Sequence, residues 1–100
     1  MKESPILIHI WAVDPASADA VGEHLDTLFG ELAGEVGFVS ARVLVSADRT
    51  SVAALVEMQS VEDRQRLEQL PAVRKTLDHL PGTANIVLRF YQERGVHRAP

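Results

Sequence analysis

The sequence predicts an α+β sandwich, a four-stranded antiparallel sheet covered on one face by two helices, and three observations lead to it. Runs rich in β-branched and aromatic residues alternate with stretches of helical periodicity in the order βαββαβ. With 46% apolar and 24% charged residues, the chain has the balance of an ordinary globular protein rather than a disordered one. Its 100 residues suffice for one core only. The expectation is a single domain over 1–100, ordered from about residue 5 to about residue 93.

The elements follow in order. Pro5 to Val13 reads as a strand that stops at Asp14-Pro15, where Asp14 is placed to cap a helix and Pro15 to occupy its first position. Val21, Leu25, Leu28 and Leu32 then mark the buried stripe of that helix, and Gly34 is the candidate for a left-handed terminator. Phe38 to Ser46 and Val52 to Gln59 are extended runs joined by Ala47-Asp48-Arg49-Thr50, a connector of hairpin length. Ser60-Val61-Glu62-Asp63 has the form of a capping box, so a second helix starts there. Leu67, Leu70, Val73, Leu77 and Leu80 give its stripe, and Pro71 should kink or split it. Pro81-Gly82 ends it, Ala84 to Gln92 forms the last strand, and Glu93 to Pro100 is a polar tail without periodicity. Two helices on one face of such a sheet make a ferredoxin-like arrangement.

Composition excludes several classes of function. Ten Lys+Arg against 14 Asp+Glu give a net charge of -4, unsuited to binding along a phosphate backbone, so nucleic acid is not an expected partner. No cysteine is present, which removes disulfides, thiolate nucleophiles and Cys-ligated metal, and fits the cytoplasm. No apolar run approaches the roughly 20 residues that cross a bilayer, so no membrane partner is expected. Metal-ligand spacings, a phosphate loop, a dinucleotide fingerprint and a Ser-His-Asp pattern are all missing, and no metal is expected.

Strict alternation along the strands divides their side chains between two faces. One face collects Ile8, Ile10, Ala54, Val56, Met58 and Phe90 among other apolar groups; it is expected to take the helices, with its alanines leaving room for an apolar, substrate-binding pocket. The opposite face collects His9, Trp11, Arg42, Glu57, Arg89 and Tyr91, a mixture of aromatic, apolar and charged residues typical of an interface. A homodimer joined through that face is the expectation, with Arg42 and Glu57 meeting across the hairpin. His9 beside Trp11 also has the chemistry to bind or deprotonate a phenol near neutral pH.

Gly37-Phe38-Val39-Ser40-Ala41, a hairpin, and Val56-Glu57-Met58-Gln59-Ser60 leading into a helix with an internal Pro resemble the antibiotic biosynthesis monooxygenase family over nearly the whole chain. The resemblance implies a dimeric α+β barrel, two ferredoxin-like subunits joined through their sheets, with a pocket between each sheet and its helices. Some members of that family oxidise polycyclic phenols with molecular oxygen and no bound cofactor, and others degrade haem. Met58-Gln59-Ser60 stands where the family has Trp-Glu-Ser, and Ala54 and about Arg64 stand where polyketide-oxidising members have Asn and Tyr. His79 falls too late in its helix to match the haem branch, so no cofactor is expected.

The resemblance makes Arg64, His24 and His79 the candidate catalytic residues: Arg64 to stabilise a phenolate oxygen, and the two histidines as groups able to point into the family's pocket. The expected function is binding of a flat apolar phenolic or quinone-type metabolite and its oxidation by oxygen. A catalytically silent ligand-binding or accessory dimer, and an isomerase or cyclase on the same fold, are the alternatives.

Overall fold

Strand β1 (Ile6–Val13) is apolar or aromatic at every position except His9. In the computed structural model, which describes residues 4–100, Asp14-Pro15 ends this strand and a single 3-10 turn over Pro15–Ser17 leads into helix α1 (Ala18–Leu32). The first three residues of the span expected as one domain lie outside the described residues. Asp14 occupies the cap position of the turn but makes no side-chain cap bond, and α-helical bonding starts later than the Pro15 expected from sequence. Val21, Leu25, Leu28 and Leu32 are all buried, so the periodic stripe is the face α1 turns to the sheet.

Helix α1 leaves through Ala33 in a right-handed conformation, and the positive φ falls on Gly37 (φ 91), ahead of β2, rather than on Gly34. The reason is space: Gly37 is buried, and a Cβ there would collide with the Asp63 carboxyl. Strands β2 (Phe38–Val45) and β3 (Ser51–Met58) form the expected antiparallel hairpin. Its loop is held by polar side chains. Asp48 Oδ1 accepts from the Ser46 hydroxyl at 2.7 Å and from the Thr50 hydroxyl at 2.7 Å, and the bonds from Thr50 first and Ser46 second hold the Asp48 carboxyl below its usual range.

Ser60 caps helix α2 (Val61–Glu68) by accepting from the Asp63 amide at 3.1 Å and donating to the Asp63 carboxylate at 2.8 Å. Pro71 splits the second helical region in two: Leu70 is extended (ψ 135), and helix α3 (Pro71–Asp78) restarts with Pro71 in its first turn. The described residues therefore hold three α-helices, the split being one of the two outcomes expected at Pro71. Strand β4 (Thr83–Tyr91) closes the sheet in the order β2-β3-β1-β4, and the chain beyond it forms no helix or strand. The fold is α+β and ferredoxin-like, as expected from the order of elements.

Register decides the faces. Val43, Ala54, His9 and Leu88 lie in one row across the four strands, and Ala41, Val56, Leu7 and Phe90 in the next. These rows carry the buried side chains of β3 and therefore face the helices. On the reverse side run the rows Arg42, Leu55, Ile8, Arg89 and Ser40, Glu57, Ile6, Tyr91. Strand β1 is thus turned over relative to the sequence expectation. Trp11 is 3% exposed and His9 7% exposed beneath the helices, whereas Ile8 and Ile10 lie on the open face. The cause is volume: the open face of one chain leaves its side chains partly solvated, and the large Trp11 ring removes more apolar area from water under the helices than any isoleucine would.

Candidate functional site

A cavity of ≈ 330 Å³ lies between the sheet and the three helices, within the size range of small-molecule pockets. Strands β1 and β3 supply its floor through Leu7, His9, Trp11, Ala54, Val56 and Met58, and Leu88 of β4 extends it. Helices α1 and α3 roof it with Leu28, Phe29, Leu32, Val73 and Leu77, while Glu68, Arg74 and Asp78 supply its charged groups. Ala54 sits directly opposite His9 on the neighbouring strand, and both line the cavity.

His9 is the polar group of the floor. Its ring stacks on Trp11 with centroids 3.7 Å apart and planes inclined by 26°, and its Nε2 lies 2.8 Å from Asn85 Oδ1. An amide oxygen only accepts, so Nε2 carries the proton and donates. Burial pushes the His9 pKa below its ordinary value of 6.5, partly offset by the Asn85 bond, so the imidazole is neutral at pH 7. Among the described residues Nδ1 has no hydrogen-bond partner, and no fully buried side-chain nitrogen or oxygen is left unpartnered; Nδ1 is therefore accessible rather than sealed in the core, on a residue that lines the cavity. The result is a mainly apolar chamber with one neutral base on its floor and Glu68, Arg74 and Asp78 among its helix-side groups.

Several expected site residues lie elsewhere. Of the six placed in a pocket, Ala54, Val56 and Met58 line the cavity; Ile8 and Ile10 lie on the other face of the sheet. Phe90 and Arg64 share a separate, more open depression of ≈ 500 Å³ with Pro5, Val61, Tyr91 and Gln92. There the guanidinium lies 4.1 Å from the Phe90 ring centroid and pairs with Glu68 at 3.1 Å, so both its stacking and its charge are engaged. His24 is exposed on α1, and His79 is exposed after α3 with its Nδ1 bound to the Lys75 carbonyl at 2.7 Å. Arg64, His24 and His79 are not brought together, and none lines the cavity.

Arg42, Glu57, Arg89 and Tyr91 do lie on the open face, with Arg42 opposite Leu55 and Glu57 opposite Ser40, so the two charges are diagonal neighbours. His9 and Trp11, expected on that face, are in the cavity instead. Alternation through Arg89 and Tyr91 sets Asn85 on the open face too, and it stays beside His9 and Trp11 only because the β1–β4 register shifts between Ile10 and Trp11: Val87 pairs with Ile10, and Asn85 with Trp11. Among the described residues no group of three or more His, Asp or Glu is placed to hold a metal ion, and no helix is long and apolar enough to cross a membrane.

No family model matches the chain by sequence, and no curated protein does so significantly. Solved structures do match. SnoaB from Streptomyces nogalater, a cofactor-independent oxygenase, superposes with a TM-score of 0.78 at 15% identity, over 94% of this chain and 96% of that one. A candidate antibiotic biosynthesis monooxygenase from Caulobacter crescentus gives 0.81 at 14% identity over 94% and 92%. A second such candidate, from Nitrosomonas europaea, gives 0.79 at 15% over 100% and 97%. The backbone likeness thus spans the domain at a sequence divergence that leaves side chains unconstrained, and the chain carries the α+β ferredoxin-like fold of these antibiotic biosynthesis monooxygenase structures.

Proposed function

We propose that the cavity binds a flat, largely apolar phenolic or quinone-type metabolite, and that the protein oxidises the phenol with molecular oxygen without a bound cofactor. The observation that carries this reading is His9, a neutral base on the floor of a mainly apolar chamber whose charged groups, Glu68, Arg74 and Asp78, come from the helices. The shared fold with a cofactor-independent oxygenase supports it.

Such chemistry asks little of a protein beyond desolvation and a base. His9 Nδ1 takes the phenolic proton, and the imidazolium so formed stays beside the phenolate, stabilised by the Asn85 oxygen at Nε2. The electron-rich phenolate passes one electron to oxygen, the resulting radical pair forms a C–O bond at a ring carbon bearing hydrogen, and protonation from His9 gives a hydroperoxide. Loss of water from it leaves the quinone. One phenol and one oxygen molecule become one quinone and one water; the substrate loses four electrons and oxygen gains them.

The working unit in this reading is a homodimer in the cytoplasm. Its open sheet face carries Ile6, Ile8, Ile10 and Leu55 at the centre, with Arg42, Arg89, Glu57 and Tyr91 around them, an apolar middle with a polar surround. Turning β1 over strengthens this proposal, because it puts three isoleucines where the sequence expectation had His9 and Trp11.

Oxygen uptake with 1-naphthol and related polyphenols tests the reading, alongside thermal unfolding with the same compounds. The expected result is a raised melting midpoint, uptake of one oxygen per phenol consumed, and loss of turnover in His9→Gln. Binding without uptake would favour the accessory dimer, turnover without oxygen the isomerase or cyclase, and full activity in His9→Gln would remove the base from this scheme.

A further inference from the structure

Strand β4 departs from regular pairing at one place, and that place aims a polar side chain at the cavity floor. Leu88 and Phe90 face the helices, so strict alternation would turn Ile86 the same way. Instead Val87 pairs with Ile10 and Asn85 with Trp11, which leaves Ile86 as the extra residue of a bulge, 58% exposed. The bulge brings Asn85 to the helix side, where its amide oxygen meets His9 Nε2 at 2.8 Å. An apolar side chain is thereby displaced from the sheet in favour of one hydrogen bond to an imidazole.

We infer that Asn85 is a positioning residue that locks His9 in its Nε2–H form, so that Nδ1 presents only a lone pair and the cavity selects a hydroxyl-bearing aromatic over its quinone. This rests on the cavity being the ligand site proposed above and goes beyond it by naming the redox form bound. A phenol offers the hydrogen that Nδ1 accepts; a quinone offers only carbonyl oxygens, which meet that lone pair with no proton between them. The same distinction drives product release, since oxidation removes the donor that held the substrate. Trp11, stacked on the imidazole, prevents the ring from turning to exchange its two nitrogens. The charged groups facing the cavity are Glu68 from α2 and Arg74 and Asp78 from α3; α1 contributes none, and none of the three is hydrogen-bonded to His9.

Two measurements on the full chain test this. In ¹⁵N-histidine-labelled protein at pH 7.5, long-range ¹H–¹⁵N correlation should show His9 in the single Nε2–H tautomer in the wild type and a mixture in Asn85→Leu; a wild-type Nδ1–H tautomer overturns the inference. Asn85 is exposed, so its replacement opens no core, and Asn85→Asp, which still accepts from Nε2, should restore the single tautomer. The second measurement is binding of 1-naphthol and 1,4-naphthoquinone by calorimetry under nitrogen. With no cysteine in the chain, the quinone has no thiol to alkylate. The affinity ratio of naphthol to quinone should fall roughly tenfold in Asn85→Leu, the worth of one neutral hydrogen bond. An unchanged ratio with both compounds still bound sinks the selectivity and leaves the cavity reading standing, whereas binding of neither compound by the wild type removes both.

Discussion

The His9 ring lies flat against Trp11, centroids 3.7 Å apart, and the two sit two residues apart on the strand at the middle of the sheet. The stack places an ionisable group inside the hydrophobic core, where only its Nε2 bond to Asn85 and the mouth of the cavity keep it from being stranded. Stability and function are therefore linked at this pair.

Stability should fall in mild acid. Burial holds the folded-state pKa of His9 below 6.5, so the unfolded chain takes up a proton first as pH drops. The sign is unfavourable to folding: nothing is lost above about pH 7, stability declines as pH passes below 6.5, and the decline levels off once the folded state protonates as well. Melting midpoints across pH 5–8 should show this step in the wild type and not in His9→Gln; parallel profiles for the two proteins would remove the coupling.

Trp11→Ala should cost about 3–5 kcal/mol, the usual range for deleting a large buried aromatic. The residue is 3% exposed and packs in the same core as Val13, Val21 and Leu25. Urea unfolding measures the loss. A change below about 1 kcal/mol would mean that the cavity already relieves the packing around this ring.

Two glycines should respond in opposite directions to alanine. Gly37→Ala meets both a positive φ and the Asp63 side chain, which also engages Ser60 at the α2 cap, so a loss of about 1–3 kcal/mol is expected. Gly30→Ala, inside α1 with nothing within 4 Å of the added methyl, should gain up to about 1 kcal/mol. Chemical denaturation of the pair separates backbone conformation from composition.

Ile8→Asp should separate the proposed dimer. Its row runs Arg42, Leu55, Ile8, Arg89 across the open face, so a carboxylate there would be buried between copies. Light scattering at micromolar concentration should give twice the 11.0 kDa chain mass for the wild type and the single mass for the variant. A wild-type monomer would end the interface proposal.

The order of elements, the α1 stripe, the Ser60 cap and the break at Pro71 were legible in the residues because each has a local cause: periodicity, a side-chain acceptor at the right offset, a missing N–H. The candidate site was less legible. Ala54, Val56 and Met58 fell on the right side because β3 alternates clearly against Glu57 and Gln59. Arg64, His24 and His79 were attached to the pocket through a family resemblance, which supplies an order of elements but not the direction of a side chain. The signal that would have found Trp11 was its size, since the largest apolar ring in a small domain belongs under the helices.

Composition and local pattern by themselves determined that this chain is one α+β domain of βαββαβ order, with a split second helical region. Tertiary structure alone decided which side of β1 is inside, because Ile6, Ile8 and Ile10 against Leu7, His9, Trp11 and Val13 offers apolar residues on both faces and alternation has nothing to choose between. It also decided that Asn85 joins His9, because a one-residue bulge inverts the alternation that a sequence reader must assume. Both follow from one physical fact: period-two patterning tells which residues share a face, and only packing against the helices and the register between strands tells which face that is.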